Sequence, residues 1–212
     1  MKLAVLISGG GSNLQSFIDQ CNSGELTAEI AVVLSNKANA YGLERATQAG
    51  IATAVVSHQE YADREAFDQA LVDTLAPHKV DLVILAGFMR ILTPVFIGAY
   101  QGRLLNIHPS LLPKYPGLHT HKRAIEAGDS EGGATVHYVT EELDGGPPIV
   151  QVAVPILAGD DEGSLAARVL EQEHRIYPLA AQWIAERRLK LTPKGVSLDG
   201  ELLGPSGQRY LS

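Results

Sequence analysis

The sequence predicts an α/β protein: a doubly wound, mostly parallel sheet with an antiparallel C-terminal hairpin region and a long C-terminal helix. Three observations carry this expectation. Up to about residue 110, short runs rich in Val, Ile and Leu alternate with amphipathic segments. The runs are nearly continuous in apolar residues, as strands covered on both faces of a parallel sheet are. Beyond them, two strand-like segments flank a turn-rich stretch, and a long amphipathic segment follows.

In order, "KLAVLIS", "EIAVVLS", "ATAVVS", "VDLVILAG" and "RLLNIH" read as five strands. Between them "NLQSFIDQCN", "YGLERATQAG", "DREAFDQALVDTLA" and "PVFIGAYQG" have helical spacing, with Gly near several ends where a left-handed cap is favourable. Strand–helix–strand repetition implies right-handed crossovers. "GATVHYVT" and "PIVQVAVPIL" flank "EELDGGPP" and read as an antiparallel hairpin, with the second proline of Pro147-Pro148 expected to delay its second strand. A helix is expected from about Asp161 to Arg187, capped by Asp160 or Asp161. Pro178 has no N–H to donate, so a kink or break is expected near Tyr177. The tail "LKLTPKGVSLDGELL" reads as short strands turning at Asp199-Gly200.

A chain of 212 residues is long enough for one domain with a substantial core, and no repeat, low-complexity tract or linker divides it. A net charge of −7 without any basic run argues against nucleic-acid or membrane-surface partners. The single cysteine, Cys21, forms no internal disulfide, which suits a reducing cytoplasm. The start "MKLAVLIS" imitates a signal peptide, but its short apolar run meets "GGG" and reads better as a first buried strand. No apolar run approaches the ~20 residues that a membrane span needs. The expectation is a soluble, cytoplasmic monomer or homodimer.

"SGGGSNLQSF" places three glycines between a strand and a helix. Helix N-termini present unpaired N–H groups and partial positive charge, so phosphate binds there. The plainer alternative is a tight turn with Ser12 or Asn13 as N-cap. The loop lacks the Gly-Lys-Ser/Thr ending of a P-loop. It also fails the dinucleotide fingerprint, since Leu14 stands where the third glycine belongs. Any ligand here is expected to be one phosphate on a small molecule.

In open α/β sheets ligands sit outside the carboxyl ends of the strands, which here carry Gly9 to Asn13, Gly87 to Arg90, and Asn106 with His108. Asn106 and His108 are two apart on a strand and share a face, roughly 7 Å apart. Pro109 cannot continue a central ladder, so His108 lies at the strand's end. Each alone has an ordinary structural reading, but together an amide and an imidazole suit a developing oxyanion. Asp144 in "LDGG" reads on its own as a hairpin-turn residue. Two weaker alternatives are a metal held by His108, His119, His121, His137 and Asp144, which has no familiar ligand spacing, and a hydrolase using Ser110, which lacks a nucleophile elbow.

"SGGGSNL", "LAGFMRIL", "NIHPSLLPKYPGLHTH", "ATVHYV" and "ELDGGPPI", in this order and spacing, resemble the phosphoribosylglycinamide formyltransferases of the 10-formyltetrahydrofolate-dependent formyltransferase family. The resemblance runs from the first strand to about Arg188, with no departure at a motif position. It implies transfer of a formyl group from 10-formyltetrahydrofolate, a co-substrate, to the amine of glycinamide ribonucleotide in purine biosynthesis, with no metal. It implies a single domain over residues 1–212, with a phosphate-binding α/β half at 1–110 and a folate-binding half and tail at 111–212. By the same resemblance Gly11, Ser12 and Asn13 cradle the substrate phosphate and Glu173 accepts from the ribose hydroxyls. Arg64, Met89, Arg90, Ile91, Leu92, Asn106, Thr140, Glu141, Glu142 and Leu143 hold the folate. Asn106, His108 and Asp144 form the catalytic set. Asn106 and protonated His108 would hold the formyl oxygen. The charge of Asp144 would favour the imidazolium and position a proton-carrying water. A hydrolase of 10-formyltetrahydrofolate, a tRNA-directed transferase and a phosphosugar-binding module are the alternatives. Ser110 to Ser130, rich in Pro, Gly and His, is expected to be a loop with the character of a mobile lid.

Overall fold

The computed structural model describes residues 1–211 and resolves two compact units, Met1–Asn106 and a second beginning at Ile107. Ser212, the last residue of the expected domain, lies outside the described residues.

The first unit alternates strands and helices: β1 (Lys2–Ile7), α1 (Ser12–Ser23), β2 (Glu29–Ser35), α2 (Tyr41–Gln48), β3 (Thr53–Val55), α3 (Arg64–Leu75), β4 (Leu82–Leu85), α4 (Pro94–Ala99) and β5 (Leu104–His108). The five strands lie in the order β5-β4-β1-β2-β3, every pair parallel. The chain proceeds one way from β1 to β3 and then the other way from β1 to β4 and β5. Right-handed crossovers therefore put helices on both faces, which is why the strands read as unbroken apolar runs. Leu3 to Ile7 of β1 are fully buried, as are Leu14 and Phe17 of α1. The switch in strand order falls between β1 and β4, and their following loops are where such a sheet binds ligands.

In the second unit, α5 (Thr120–Glu126), β6 (Glu131–Tyr138), β7 (Pro148–Pro155), α6 (Glu162–Ala185), β8 (Leu189–Thr192), β9 (Gly195–Leu198), β10 (Glu201–Leu202) and β11 (Gln208–Tyr210) follow. β6 and β7 form the expected antiparallel pair. The second proline does not delay β7, which begins at Pro148 itself, a position that needs no ladder N–H. β8, β9 and β10 form a separate antiparallel sheet. Asp199 (φ 53) and Gly200 (φ 89) make the turn between β9 and β10, both left-handed as a two-residue hairpin turn requires. β11, not anticipated, pairs in parallel with β7.

Helix α6 is capped by Asp161, whose carboxylate accepts from Ser164 N–H at 2.8 Å. The break expected near Tyr177 does not occur, and α6 runs on through the buried Pro178. Proline costs this helix one hydrogen bond, and the packing of α6 on β6 and β7 holds it against that loss. The expected loop from Ser110 to Ser130 contains α5, whose polar "THKRAIE" shows little periodicity.

Candidate active site

The loop after β1 approaches the start of α2 so closely that side chains are excluded. Gly42 N–H donates to the Gly9 carbonyl at 3.0 Å. A Cβ on Gly11 would lie 2.8 Å from the Gly42 Cα, and Gly11 itself has φ 72. Glycine is required there on both counts. Gly11, rather than Ser12 or Asn13, is the N-cap of α1, and it offers no side chain to the helix. Because helix N–H groups begin at Ser12, the first-turn amides have no intrahelical acceptor, and the N-cap itself makes no side-chain bond to them. That is the anion-receptive form of a helix start.

Arg45 of α2, absent from the sequence reading, reaches this loop. Its Nε donates to the Gly10 carbonyl at 2.7 Å, a terminal nitrogen donates to Gln15 Oε1 at 3.2 Å, and the guanidinium lies 5.0 Å from the Tyr41 ring centroid.

The loop after β4 is joined to the loop after β1 through Ser8. The Ser8 hydroxyl accepts from Met89 N–H at 2.8 Å and donates to Asn36 Oδ1 at 2.6 Å, while Ser8 N–H donates to the Gly87 carbonyl at 3.1 Å. Arg64 donates to the Ile91 carbonyl at 2.9 Å, and Arg90 lies 6.0 Å from the Phe67 ring centroid. Buried Asp68 accepts from both the N–H and the hydroxyl of Thr93 at 2.5 and 2.8 Å, which anchors the far end of the segment. Burial pushes the Asp68 carboxyl up, against these bonds. Met89 and Ile91 remain exposed and Leu92 is buried.

In the second unit, His108 Nδ1 lies 3.5 Å from Asp144 Oδ2, with both side chains less than a tenth exposed. The other ring nitrogen, Nε2, is 2.8 Å from the Tyr115 carbonyl. A carbonyl only accepts, so Nε2 carries a proton. Nδ1 faces the Asp144 carboxylate at the long end of hydrogen-bond distance, which leaves that edge open to another acceptor. Asp144 Oδ2 also accepts from Gly117 N–H at 2.9 Å.

Asp144 stands in the left-handed region, φ 50, as Asp tolerates in turns. A Cβ on Gly146 would collide with the Tyr138 carbonyl oxygen, so "DGG" is dictated by backbone approach as well as by chemistry. A second histidine, His137 on β6, places Nε2 3.9 Å from Asp144 Oδ1 and donates from Nδ1 to the Tyr138 carbonyl at 2.9 Å. Burial pushes the His137 pKa down, so it stays neutral at physiological pH. The sequence named His137 only as a metal candidate. Its place on a strand one turn from Asp144 was the available signal.

Asn106 and His108 occupy alternate positions of β5, on one face as expected, with Asn106 half-buried. Ser110 is not poised as a nucleophile, because its hydroxyl donates to the Lys114 carbonyl at 2.6 Å. Among the described residues no three or more His, Cys, Asp or Glu are grouped to hold a metal ion. Gly11, Ser12, Asn13, Arg64 and Met89 to Leu92 belong to the first unit, and Thr140 to Leu143, Asp144 and Glu173 to the second. Thr140 to Leu143 form an exposed turn closed by Gly145 N–H to the Glu142 carbonyl at 3.1 Å, and Glu173 is buried on α6. No helix among the described residues is long and apolar enough to cross a membrane.

An α/β sheet with a glycine loop at its switch point and a buried histidine–aspartate pair matches a known class: the formyl transferase family model covers residues 1–181, and the chain belongs to that family. Within it, the chain is 55% identical over 207 residues, 98% of each chain, to phosphoribosylglycinamide formyltransferase from Escherichia coli (strain K12). Against the enzyme of the same name from Haemophilus influenzae the identity is 53% over 206 residues, 97% of each chain. The structure of phosphoribosylglycinamide formyltransferase from Coxiella burnetii in complex with CHES matches with a TM-score of 0.96 at 46% identity, over 100% of this chain and 99% of that one.

Proposed function

We propose that this protein transfers the formyl group of 10-formyltetrahydrofolate to the primary amine of glycinamide ribonucleotide, in the cytoplasm, as a monomer or homodimer. The buried His108–Asp144 pair carries the reading, since a phosphosugar-binding module has no use for it. The uncapped start of α1 at Gly11, Ser12 and Asn13 suits the acceptor's phosphate, with the Arg45 guanidinium on the same loop. Glu173 serves the ribose hydroxyls. Arg64, Met89 to Leu92 and Thr140 to Leu143 serve the folate.

The neutral amine attacks the formyl carbon, the carbonyl π pair moves to oxygen, and nitrogen becomes positive. The Asn106 amide and the Nδ1–H edge of imidazolium His108 stabilise that oxygen, at a few kcal/mol per donor in a dry site. Nε2 keeps its proton on the Tyr115 carbonyl throughout. The ammonium proton passes through water held by Asp144 to N10 of the folate, the C–N10 bond breaks, and tetrahydrofolate leaves with the formyl group now on the substrate nitrogen. No covalent enzyme intermediate is needed, in keeping with the turn-bound hydroxyl of Ser110.

The test follows loss of 10-formyltetrahydrofolate with and without glycinamide ribonucleotide. Loss that requires the nucleotide and yields its formylated form is the expected result. Equal loss without it would make the protein a hydrolase, and no loss a binder.

A further inference from the structure

The turn from Lys114 to Leu118 grips both members of the pair by its backbone. The Tyr115 carbonyl takes the His108 Nε2 proton at 2.8 Å, and Gly117 N–H donates to Asp144 at 2.9 Å. These groups hold the side chains only while the turn itself is held. Tyr115 has φ 55, an unfavourable region for a bulky residue, so its surroundings must enforce it.

Asp129 supplies part of that enforcement. Its Oδ2 accepts from the Tyr115 hydroxyl at 2.8 Å and its Oδ1 from Lys114 Nζ at 3.0 Å. Those bonds hold the Asp129 carboxyl below the usual carboxylate range, so it is ionised at neutral pH. Arg123 closes the other side, donating to the Pro116 and Leu118 carbonyls at 2.7 and 3.2 Å with its guanidinium 5.1 Å from the Tyr115 ring centroid. The result is one aromatic residue pinned at three points: hydroxyl by Asp129, ring face by Arg123, carbonyl by the histidine it orients.

We propose that Asp129 is a positioning residue for formyl transfer, acting through the Tyr115 hydroxyl to keep the Tyr115 carbonyl on His108 Nε2. The proposal rests on the catalytic role given above to His108. With the carbonyl in place, the ring has one orientation, and Nδ1 is the edge turned toward Asp144. Without it, a half-turn of the ring puts Cδ2 in the place of Nδ1, and the proton needed at the formyl oxygen is presented only part of the time. Asp129 touches neither substrate in this scheme, so its removal acts on turnover rather than on acceptor binding.

The experiment compares the wild-type chain with Tyr115→Phe, Asp129→Ala, the double variant and Asp129→Asn. Steady-state transfer is read together with the 15N resonances of the His108 imidazole. Tyr115→Phe is nearly isosteric and loses only the hydroxyl, so it tests the link even if Asp129→Ala fails to fold. Tyr115→Phe and Asp129→Ala are each expected to lose about tenfold in kcat, the worth of one charge-assisted hydrogen bond, with the KM for glycinamide ribonucleotide within about twofold of wild type. The double variant should fall no further than the worse single one, because both remove the same bond. Asp129→Asn, which still accepts from the hydroxyl, should recover most of the turnover. The His108 15N resonances should change from those of one fixed ring orientation to an average over two. Tyr115→Phe or Asp129→Ala within twofold of wild type in kcat, additive losses in the double variant, or an unaltered His108 spectrum would each overturn the proposal. A wild-type chain without transferase activity would overturn the functional reading instead.

Discussion

Nδ1 of His108 stands 3.5 Å from Oδ2 of Asp144, although residues 109–143 separate the two in the chain. His108 ends a strand and Asp144 sits in a left-handed turn after β6. Gly117 N–H holds the carboxylate, and the Tyr115 carbonyl holds the ring. The pair is thus fixed by backbone groups, which lose less entropy in positioning than long side chains do.

Asp144→Asn keeps shape and removes charge. The expected outcome is a loss of about a hundredfold or more in kcat, with the KM for the acceptor little changed. Steady-state kinetics with both substrates varied would decide it. A loss confined to KM would move Asp144 from chemistry to binding.

Gly11→Ala forces a Cβ toward the Gly42 Cα at 2.8 Å in a residue with φ 72. The left-handed conformation alone costs about 1–2 kcal/mol. The acceptor's KM should rise at least about tenfold, while the folate KM stays near wild type. Isothermal titration with each substrate separately gives the same comparison without turnover, and a folate-only defect would contradict the phosphate assignment.

Ser8→Ala removes the acceptor for Met89 N–H and the donor to buried Asn36. An unsatisfied partly buried donor costs roughly 1–3 kcal/mol. Thermal stability should fall, and folate affinity should fall about fivefold or more as the segment after β4 loosens. Unchanged folate binding would show that the Met89 to Leu92 segment is held by Arg64 and Thr93 alone.

Acid should destabilise the fold below neutrality through His137. Burial lowers its pKa in the folded protein, whereas the unfolded residue titrates near 6.5. Below that pH the unfolded chain binds more protons than the folded one, so this contribution is complete above about 6.5 and declines as pH falls through that value toward the folded pKa. His121, lowered by burial in the same direction, adds to the slope. The melting temperature should drop from pH 7.5 to 5.5, and less so in His137→Gln. Parallel slopes in the two proteins would remove His137 from the account.

The strands were legible because burial on both faces leaves an apolar run that needs no tertiary knowledge to recognise. β11 was not, since "QRY" is polar and is a strand only because β7 offers it a free edge. α5 was missed because its helix is too short to show a period. Pro178 misled because a local hydrogen-bond loss was weighed without the packing of α6 against β6 and β7.

By itself, the order of residues determined the strands of the parallel sheet, the glycine loop, and the side chains able to do chemistry. Side-chain periodicity and residue type are local quantities, and they survive in the linear chain. Only the tertiary structure decided that the Tyr115 carbonyl meets His108, that His137 faces Asp144 and that Arg45 reaches the glycine loop. Those contacts depend on left-handed backbone at Tyr115 and Asp144 and on pairing between distant segments, and no local pattern encodes either.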